Sequence, residues 1–260
     1  MVKWGVSYLS SVEVISSFAR RIGKFDIRVS QTLQTYKHTT YNIQHTKKME
    51  AMLAQEYTIG DTKIDPKGYY LSEKLDGYRA IYREGKFYSR NGKEYASPPW
   101  FSKCFPDRVL DGELWISRTE FDKMGTVRKK VPIDTEWMEV SFQVYDLIDC
   151  DGGFNTRINE LLCLVKETTK KWNIYRKKLS KDREQFLKMK CPLQFVTQTP
   201  VKSQGHLKLL FDSFVSGGAE GVMIKHPTSL YDPGKRSKYL LKIKPSFDAE
   251  GIVIAYKGGN

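Results

Sequence analysis

The feature that most constrains the fold is a series of short runs that favour β-strands, followed by one long helical stretch. The runs occupy 69–71, 78–83, 86–89, 108–116 and 140–147, and turn-forming residues punctuate them. Residues 157–190 then have helical periodicity with a basic exposed face. Further strands are predicted at 193–197, 221–225 and 238–244, and helices at 47–57 and 202–216. The sequence therefore predicts a domain of mixed α and β structure without an internal repeat.

The charge of the chain indicates a polyanionic partner. Its 260 residues include 43 Lys and Arg against 30 Asp and Glu, which gives a net charge of +13 and a pI near 9.4. With 40% hydrophobic residues the chain can bury a core, which argues against disorder. Nucleic acid is the simplest polyanion for such a surface, and a solvated basic surface without a partner is the alternative. No stretch approaches the ~18 apolar residues of a spanning helix, so no membrane association is expected.

The cysteines and histidines do not form a metal-binding pattern. The four cysteines include no Cys-x-x-Cys pair, and the four histidines have no ligand spacing with them, so a structural zinc site is not predicted. Scattered cysteines are typical of a reducing compartment. They indicate an intracellular protein, and the nucleus, the cytoplasm, a viral factory or an organelle all stay open as its compartment.

The first 47 residues differ from the rest and are predicted to form a basic extension. Residues 1–48 carry eight Lys or Arg against two acidic residues. Apolar residues at helical spacing predict a short amphipathic helix over 10–22. The extension resembles a transit peptide weakly, and a segment that binds a partner or nucleic acid is an equal alternative.

One heptapeptide, Glu73-Lys74-Leu75-Asp76-Gly77-Tyr78-Arg79, contains the strongest chemical signal. A lysine becomes a nucleophile when its surroundings favour the neutral amine and hold it near an electrophile, and a nearby guanidinium favours the neutral form. Gly77 would allow a tight turn and the close approach of a substrate. The string alone is also a common charged strand end followed by an Asp-Gly turn. The downstream segments decide between these two interpretations.

Two of those segments would add a carboxylate and an aromatic ring. Glu113 lies in an apolar strand just after a turn, where a charge is costly unless it is paired or bound to a ligand. A carboxylate there suits a ribose hydroxyl or a metal ion. In 142–147, the period of two sends Phe142 and Val144 to one face and Tyr145 to the other. Tyr145 is therefore either a stacking platform for a base or an ordinary core or rim residue.

Two later segments add a second carboxylate and three lysines. Glu220 lies just before a predicted strand whose last residue is Lys225. This segment is not a phosphate loop, because the Gly-Lys-Ser/Thr ending is missing. Lys242 and Lys244 share one face of the last strand, where like charges repel unless an anion lies across them. A phosphate chain would relieve that repulsion, and so would simple exposure to water.

The order and spacing of these segments resemble the adenylation domain of the ATP-dependent DNA ligases, particularly the minimal viral and bacterial forms. The resemblance covers roughly residues 48–255. It implies an α+β nucleotidyltransferase fold similar to ATP-grasp proteins, with helices flanking twisted β-sheets and a nucleotide cleft between the sheets. It also implies an adenylation domain at 48–247, after the extension at 1–47. Residues 248–260 would begin a linker to an OB-fold domain that is absent from this chain.

The resemblance gives each singled-out residue a role. Lys74 would attack the α-phosphate of ATP and form a lysyl-AMP intermediate, whose AMP then passes to the 5′-phosphate of a DNA nick. The residues that would bind ATP are Glu73, Lys74, Arg79, Glu113, Tyr145, Glu220, Lys225, Lys242 and Lys244. Those that would contact nucleic acid are Arg79, Ser89 and Arg90, and Glu113 and Glu220 would bind Mg²⁺ or Mn²⁺.

The same resemblance implies a monomeric enzyme that acts on nicked double-stranded DNA in replication, repair and recombination, with an OB-fold domain supplied elsewhere. Two alternatives stay open. An RNA ligase or a GTP-dependent mRNA-capping guanylyltransferase shares the lysine motif, and a non-catalytic module could hold nicked nucleic acid through its charge. The Ser89-Arg90 pair and the sequences around Glu113 and Glu220 favour a DNA ligase, and the intact Lys74 argues against a silent module.

Overall fold

The computed structural model describes residues 50–179 and 184–246, which form two β-sheets with helices packed on them. The strands are β1 (Leu53–Glu56), β2 (Tyr70–Glu73), β3 (Tyr78–Arg83), β4 (Lys86–Ser89), β5 (Glu94–Tyr95), β6 (Leu110–Trp115), β7 (Ser141–Leu147), β8 (Leu193–Phe195), β9 (Thr199–Pro200), β10 (Val222–Lys225) and β11 (Arg236–Ile243). The helices are α1 (Asp134–Trp137), α2 (Phe154–Leu179) and α3 (Gln204–Ser216), with 3₁₀ helices at Phe121–Arg128 and Glu184–Lys188. The predicted α+β class is confirmed. The predicted extension at 1–47 and linker at 248–260 lie outside the described residues.

The first sheet has the order β1-β11-β10-β2-β9. β10 pairs antiparallel with both β11 and β2, and β1 pairs parallel with β11. Because side chains alternate along each strand, Leu71, Ile224 and Leu241 point to one face, where they pack with Leu207 of α3 in a buried core. The opposite face carries the polar residues of these strands and lines a cleft.

The second sheet has the order β5-β4-β3-β6-β7-β8. Its core is rich in aromatic rings, and Phe87 and Phe142 are fully buried with ring centroids 5.1 Å apart. α2 packs on this core through buried residues at three- and four-residue spacing, among them Leu161 and Trp172. The period-two prediction for β7 is confirmed, since Phe142 and Val144 are buried and Tyr145 points to the other face.

In the described part of the chain, two short connections between the sheets frame the cleft. Residues 74–77 join β2 of the first sheet to β3 of the second, and 196–198 join β8 of the second to β9 of the first. The lysine of the heptapeptide thus lies at a crossing between the two sheets.

The helix predicted over 47–57 is wrong for the described residues 50–57. Residues 53–56 form β1 instead, with Leu53 opposite Arg236 of β11. The Leu53 amide donates to the carbonyl of Lys235 at 2.8 Å, and the Tyr57 amide donates to that of Lys242 at 3.0 Å. Pairing with β11 satisfies backbone groups along an open sheet edge, which outweighs the helical propensity of a short segment.

No helix in 50–179 or 184–246 is long and apolar enough to cross a membrane. All four cysteines lie in these ranges, and each is a free thiol.

The predicted strands at 193–197, 221–225 and 238–244 correspond to β8, β10 and β11. The helix predicted at 157–190 corresponds to α2 together with the second 3₁₀ helix, and the helix predicted at 202–216 corresponds to α3.

Candidate active site

Lys74 lies immediately after β2, at the crossing from the first sheet to the second. Its amide donates to the carbonyl of Gly221 at 3.0 Å, which fixes its backbone beside the start of β10. Three residues later, Gly77 passes so close to β6 that a Cβ there would collide with the carbonyl oxygen of Leu114. Glycine is therefore required at this position by the approach of two backbones. The Lys-x-Asp-Gly sequence thereby places the lysine side chain between the sheets.

The Lys74 ammonium forms an ion pair with Glu220, and the Nζ of Lys244 lies 2.7 Å from the other oxygen of the same carboxylate. Partial burial would raise the pKa of Glu220, but hydrogen bonds from Lys244 and Lys74 outweigh it and hold that pKa below its ordinary value. The Lys74 and Glu220 side chains are 22% and 24% exposed. This cluster is therefore charged, partly open to solvent and within reach of a ligand.

The wall opposite Lys74 is formed by β3 and β6, where Arg79 pairs with Glu113 in register. The Arg79 guanidinium donates to both oxygens of Asp111, at 3.0 and 2.6 Å, and to the Met52 carbonyl at 2.7 Å. Tyr231 adds a hydrogen bond from its hydroxyl to Asp111 at 2.7 Å. Burial opposes the charge on Arg79, but Asp111 raises its pKa well above the ordinary value. Arg79 is thus held as a permanent cation.

Glu113 has the most unusual carboxyl group of the cleft. Burial raises the pKa of Glu113 to about 8, although the charges of Arg79 and Lys74 oppose that rise. At neutral pH the free site therefore holds Glu113 mainly as a neutral acid. Such a group can donate to a hydroxyl oxygen, or lose its proton when a cation arrives.

Aromatic and apolar side chains form the remaining walls of the cleft. The Tyr145 hydroxyl donates to the Gly112 carbonyl at 3.3 Å, which fixes the ring on β7. Met223 of β10 faces the same space from the first sheet. The cavity has a volume of about 320 Å³, within the size range of small-ligand sites.

Lys225 also lines the cleft, but its ammonium points into a sealed cluster. It pairs with Asp146, which also accepts two hydrogen bonds from Arg157 at 2.7 and 3.1 Å. Asp146 and Arg157 are fully buried. Burial lowers the pKa of Lys225, and Asp146 opposes that effect. The Lys225 Nζ also lies 4.6 Å from the centre of the Phe154 ring.

The remaining sequence-predicted residues lie around the mouth. Lys242 pairs with the exposed Glu56 at 2.8 Å, and Glu73 forms a two-pronged ion pair with Arg118 at 2.8 and 2.9 Å. Arg90 lines the cleft. Ser89 accepts a hydrogen bond from the amide of Lys93 at 2.9 Å in a turn, and it does not line the cleft.

The structure therefore brings most of the predicted residues into one cleft. Those that line it are Glu73, Lys74, Arg79, Arg90, Glu113, Tyr145, Lys225 and Lys242, while Glu220 and Lys244 join it through the Lys74 ion pair. Sequence reasoning did not select Asp111, Asp146, Arg157 or Tyr231. Burial of an acidic residue within an apolar strand, the signal used for Glu113, would have selected Asp111 and Asp146 as well. Nothing in the local sequence marks Arg157 or Tyr231.

Comparison with known proteins identifies the architecture around this cleft. The family described as the ATP dependent DNA ligase domain matches residues 51–244. The chain belongs to this family. A DNA ligase of Haemophilus influenzae is 28% identical over 193 residues, which cover 74% of this chain and 64% of the relative.

Solved structures of DNA ligases have the same fold. A structure reported for Lig E DNA ligases is 28% identical, with a TM-score of 0.63 over 75% of this chain and 68% of that one. The Chlorella virus DNA ligase-adenylate is 19% identical, with a TM-score of 0.55 over 75% and 67% of the two chains, which shows likeness of fold alone. The resemblance drawn from the sequence to the ATP-dependent DNA ligases is confirmed, and so is the nucleotidyltransferase fold that it implied.

The ligase domain of this chain spans 64% of the length of its Haemophilus relative.

Proposed function

We propose that this chain is the catalytic domain of an ATP-dependent DNA ligase in which Lys74 carries AMP. The Lys74 Nζ forms a bond to the α-phosphorus of ATP, the bond from that phosphorus to the bridging oxygen breaks, and pyrophosphate leaves. The ammonium gives one proton to solvent before the attack, and the nitrogen loses a second proton to solvent after it, which leaves a phosphoramidate with one N–H. In a second step, an oxygen of the 5′-phosphate at a nick displaces the lysine and takes the AMP. The observation that carries the proposal is the position of Lys74, whose side chain lines the cleft, is partly exposed to solvent and forms an ion pair with Glu220.

The charges around Lys74 suit the build-up of negative charge in nucleotidyl transfer. Lys242 lies on β11 and Lys244 follows the end of that strand, and their ammonium groups pair with the carboxylates of Glu56 and Glu220. An arriving triphosphate would replace those carboxylates as the anionic partner. Release of Glu220 from its two lysines frees the Lys74 amine for attack.

The opposite wall suits a nucleoside. Tyr145 and Met223 line the cleft from the two sheets, and a purine could stack on the Tyr145 ring. Glu113 lies on the same wall as Tyr145 and, in either protonation state, can hydrogen-bond a ribose hydroxyl. Arg79 is engaged with Asp111 and Met52, so we assign it to holding this wall in place and leave Arg90 as the contact for phosphate or DNA.

A divalent cation fits the donors of this site. Mg²⁺ is usually held by one or two carboxylates together with substrate phosphates, and Mn²⁺ accepts the same oxygens. The described residues contain no group of three or more acidic, histidine or cysteine side chains that could hold a metal alone. Glu113 and Glu220 act on each other electrostatically in the cleft and would supply the two carboxylates. Such an ion would neutralise charge on the phosphates, and its arrival would favour loss of the proton of Glu113.

The proposed substrate is nicked double-stranded DNA. The helix α2 presents exposed lysines, including Lys166, Lys170 and Lys177, and the Ser89-Arg90 turn lies beside the cleft. These groups suit phosphate contacts rather than the reading of bases. Binding should therefore weaken as salt rises and show little sequence preference.

Covalent labelling tests this function. The protein is incubated with ATP labelled at the α-phosphate and with Mg²⁺, and label on the denatured protein is measured. The unaltered chain should acquire label that Lys74→Ala lacks, while Lys63→Ala, a change at an exposed lysine remote from the cleft, should label normally. Label that persists in a folded Lys74→Ala protein would contradict the proposal.

A further inference from the structure

Gln198 lies at the junction between the two walls of the cleft. It belongs to the segment 196–198 that carries the chain from β8 to β9. Just before it, the Val196 amide donates to the Val144 carbonyl of β7 at 3.0 Å, next to Tyr145. Just after it, Thr199 pairs with Leu71 of β2. Gln198 therefore borders both the wall of Tyr145 and the floor of the first sheet, and it lines the cleft.

The floor of the cleft changes from cationic to neutral toward Gln198. Met223 stands in register with Lys242 on one side and with Ser72 on the other, and all three line the cleft. β9, which follows Gln198, pairs with the far edge of β2. The lysine end of this row suits phosphates, whereas Ser72 and Gln198 form a neutral polar end. A purine stacked between Tyr145 and Met223 would present its edge to that neutral end.

The amide of Gln198 has a defined orientation. Its Nε2 donates to the Val196 carbonyl at 3.1 Å, and since a carbonyl only accepts, the nitrogen must be the atom that faces Val196. In the described part of the chain, no hydrogen bond to the Oε1 of Gln198 is found. The side chain is thereby anchored through its donor and keeps its acceptor for a ligand.

We propose that Gln198 selects adenine over guanine by reading position 6 of the purine. Oε1 would accept a hydrogen bond from the 6-amino group of adenine. Guanine carries a carbonyl oxygen at that position, so two acceptors would face each other without a proton between them. This inference rests on the proposed function, and it supplies the base contact that stacking on Tyr145 cannot provide, because an aromatic ring tolerates either purine.

The test removes the contact from the ligand and from the protein in turn. Lys74-dependent labelling is measured with ATP, with GTP and with purine riboside triphosphate, which lacks the 6-amino group, each labelled at the α-phosphate. The unaltered protein should have a kcat/KM for ATP that exceeds that for either analogue by about tenfold or more. In Gln198→Leu, which keeps the bulk and loses the acceptor, ATP and purine riboside triphosphate should differ by less than about threefold.

Gln194→Leu is the matched control. Gln194 also donates its amide nitrogen to a nearby carbonyl, that of Cys191, but it lines a different groove. This variant should keep the full preference for ATP. Comparison of the three triphosphates on the unaltered protein needs no variant, so a folding defect in Gln198→Leu cannot hide the answer.

Two results would overturn the inference and leave the proposed function standing. One is Lys74-dependent labelling of the unaltered protein that is equal with ATP and with purine riboside triphosphate. The other is a folded Gln198→Leu protein that keeps the full preference. Absence of Lys74-dependent labelling with every triphosphate would overturn both the inference and the proposed function.

Discussion

Two lysine–carboxylate pairs face the same cleft and differ in how far water reaches them. Lys74 and Glu220 are each about one fifth to one quarter exposed, and Lys244 shares the carboxylate from solvent. Lys225 and Asp146 are almost completely enclosed, and Arg157 closes the far side. The first pair can exchange partners when an anionic ligand arrives. The second cannot, because separating buried charges without replacement is costly.

This difference in solvent exposure suits the two lysines to different roles. A lysine that reacts must leave its counterion, so a half-open pair near the mouth suits Lys74. A lysine that holds two sheets together must keep its counterion, and Asp146 joins β7 of the second sheet to β10 of the first through Lys225. Arg157 extends that link by donating to the Ser229 carbonyl at 2.8 Å. In the free protein Lys225 therefore links the two sheets beside the cleft, and its predicted contact with the nucleotide phosphates stays a prediction.

The largest effect is expected from a variant that keeps the positive charge beside Glu220 but removes the nucleophilic amine of Lys74. Lys74→Arg preserves a cation beside Glu220, and a guanidinium does not deprotonate near neutral pH. Covalent labelling by ATP should fall by roughly a thousandfold or more, while the free energy of unfolding changes by less than about 1 kcal/mol. Labelling assays and denaturant unfolding check the two halves. A strongly labelled Lys74→Arg protein would show that another residue carries the nucleotide.

The next largest effect distinguishes the enclosed Lys225–Asp146 pair from the partly exposed Lys74–Glu220 pair by their contributions to the free energy of unfolding. Asp146→Asn leaves Arg157 and Lys225 buried without a counterion, so the free energy of unfolding should fall by about 3 to 5 kcal/mol. Glu220→Gln is the matched control in the open pair, and it should cost less than about 1 kcal/mol because water reaches its partners. Urea denaturation of both variants measures the contrast. Equal losses would remove the distinction between the two pairs.

The sequence predicted the open pair better than the sealed one for a physical reason. Lys74 lies in a short local motif, and a period of two is enough to place Lys242 and Lys244 on one face of the predicted strand. The sealed cluster depends on tertiary contact, since Asp146 of β7, Arg157 of α2 and Lys225 of β10 meet only when the sheets pack. Local patterns can mark Asp146 and Lys225 singly, but they do not show that these two residues meet, and nothing local marks Arg157.

The fold shows the same limit. Strands with aromatic and β-branched runs between turns, such as β3 and β7, could be predicted because the pattern repeats within one element. β1 could not, because residues 53–56 become a strand only through pairing with β11. Gly77 was expected to allow a tight turn and the approach of a substrate, but it is the carbonyl of Leu114 that a side chain at this position would strike. Such backbone approaches between distant segments are not written in the local sequence.

A smaller effect concerns pH and the neutral carboxyl between the two pairs. Burial raises the pKa of Glu113 to about 8, above the ordinary value of 4.5, so the folded state holds a proton that the unfolded state releases between these values. The stabilisation by that proton is fully present below about pH 4.5 and is lost as the pH rises through 8. Relative to Glu113→Gln, which cannot ionise, the unaltered protein should lose about 2 kcal/mol between roughly pH 6.5 and pH 9. Parallel stability curves for the two proteins would place the pKa of Glu113 near its ordinary value.

The smallest effect lies at the outermost pair. The Glu56 side chain is 84% exposed and contacts Lys242 at 2.8 Å, so solvent screens their attraction. Glu56→Gln should therefore leave the free energy of unfolding almost unchanged. It should nevertheless lower the KM for ATP slightly, by about twofold, because Lys242 no longer has to leave a carboxylate before it meets a phosphate. The effect on KM should shrink as salt is added, since screening weakens the competing pair. A rise in KM would mean that Glu56 positions Lys242 for the nucleotide. Glu56 would then not be a counterion that the nucleotide displaces, as Glu220 is proposed to be.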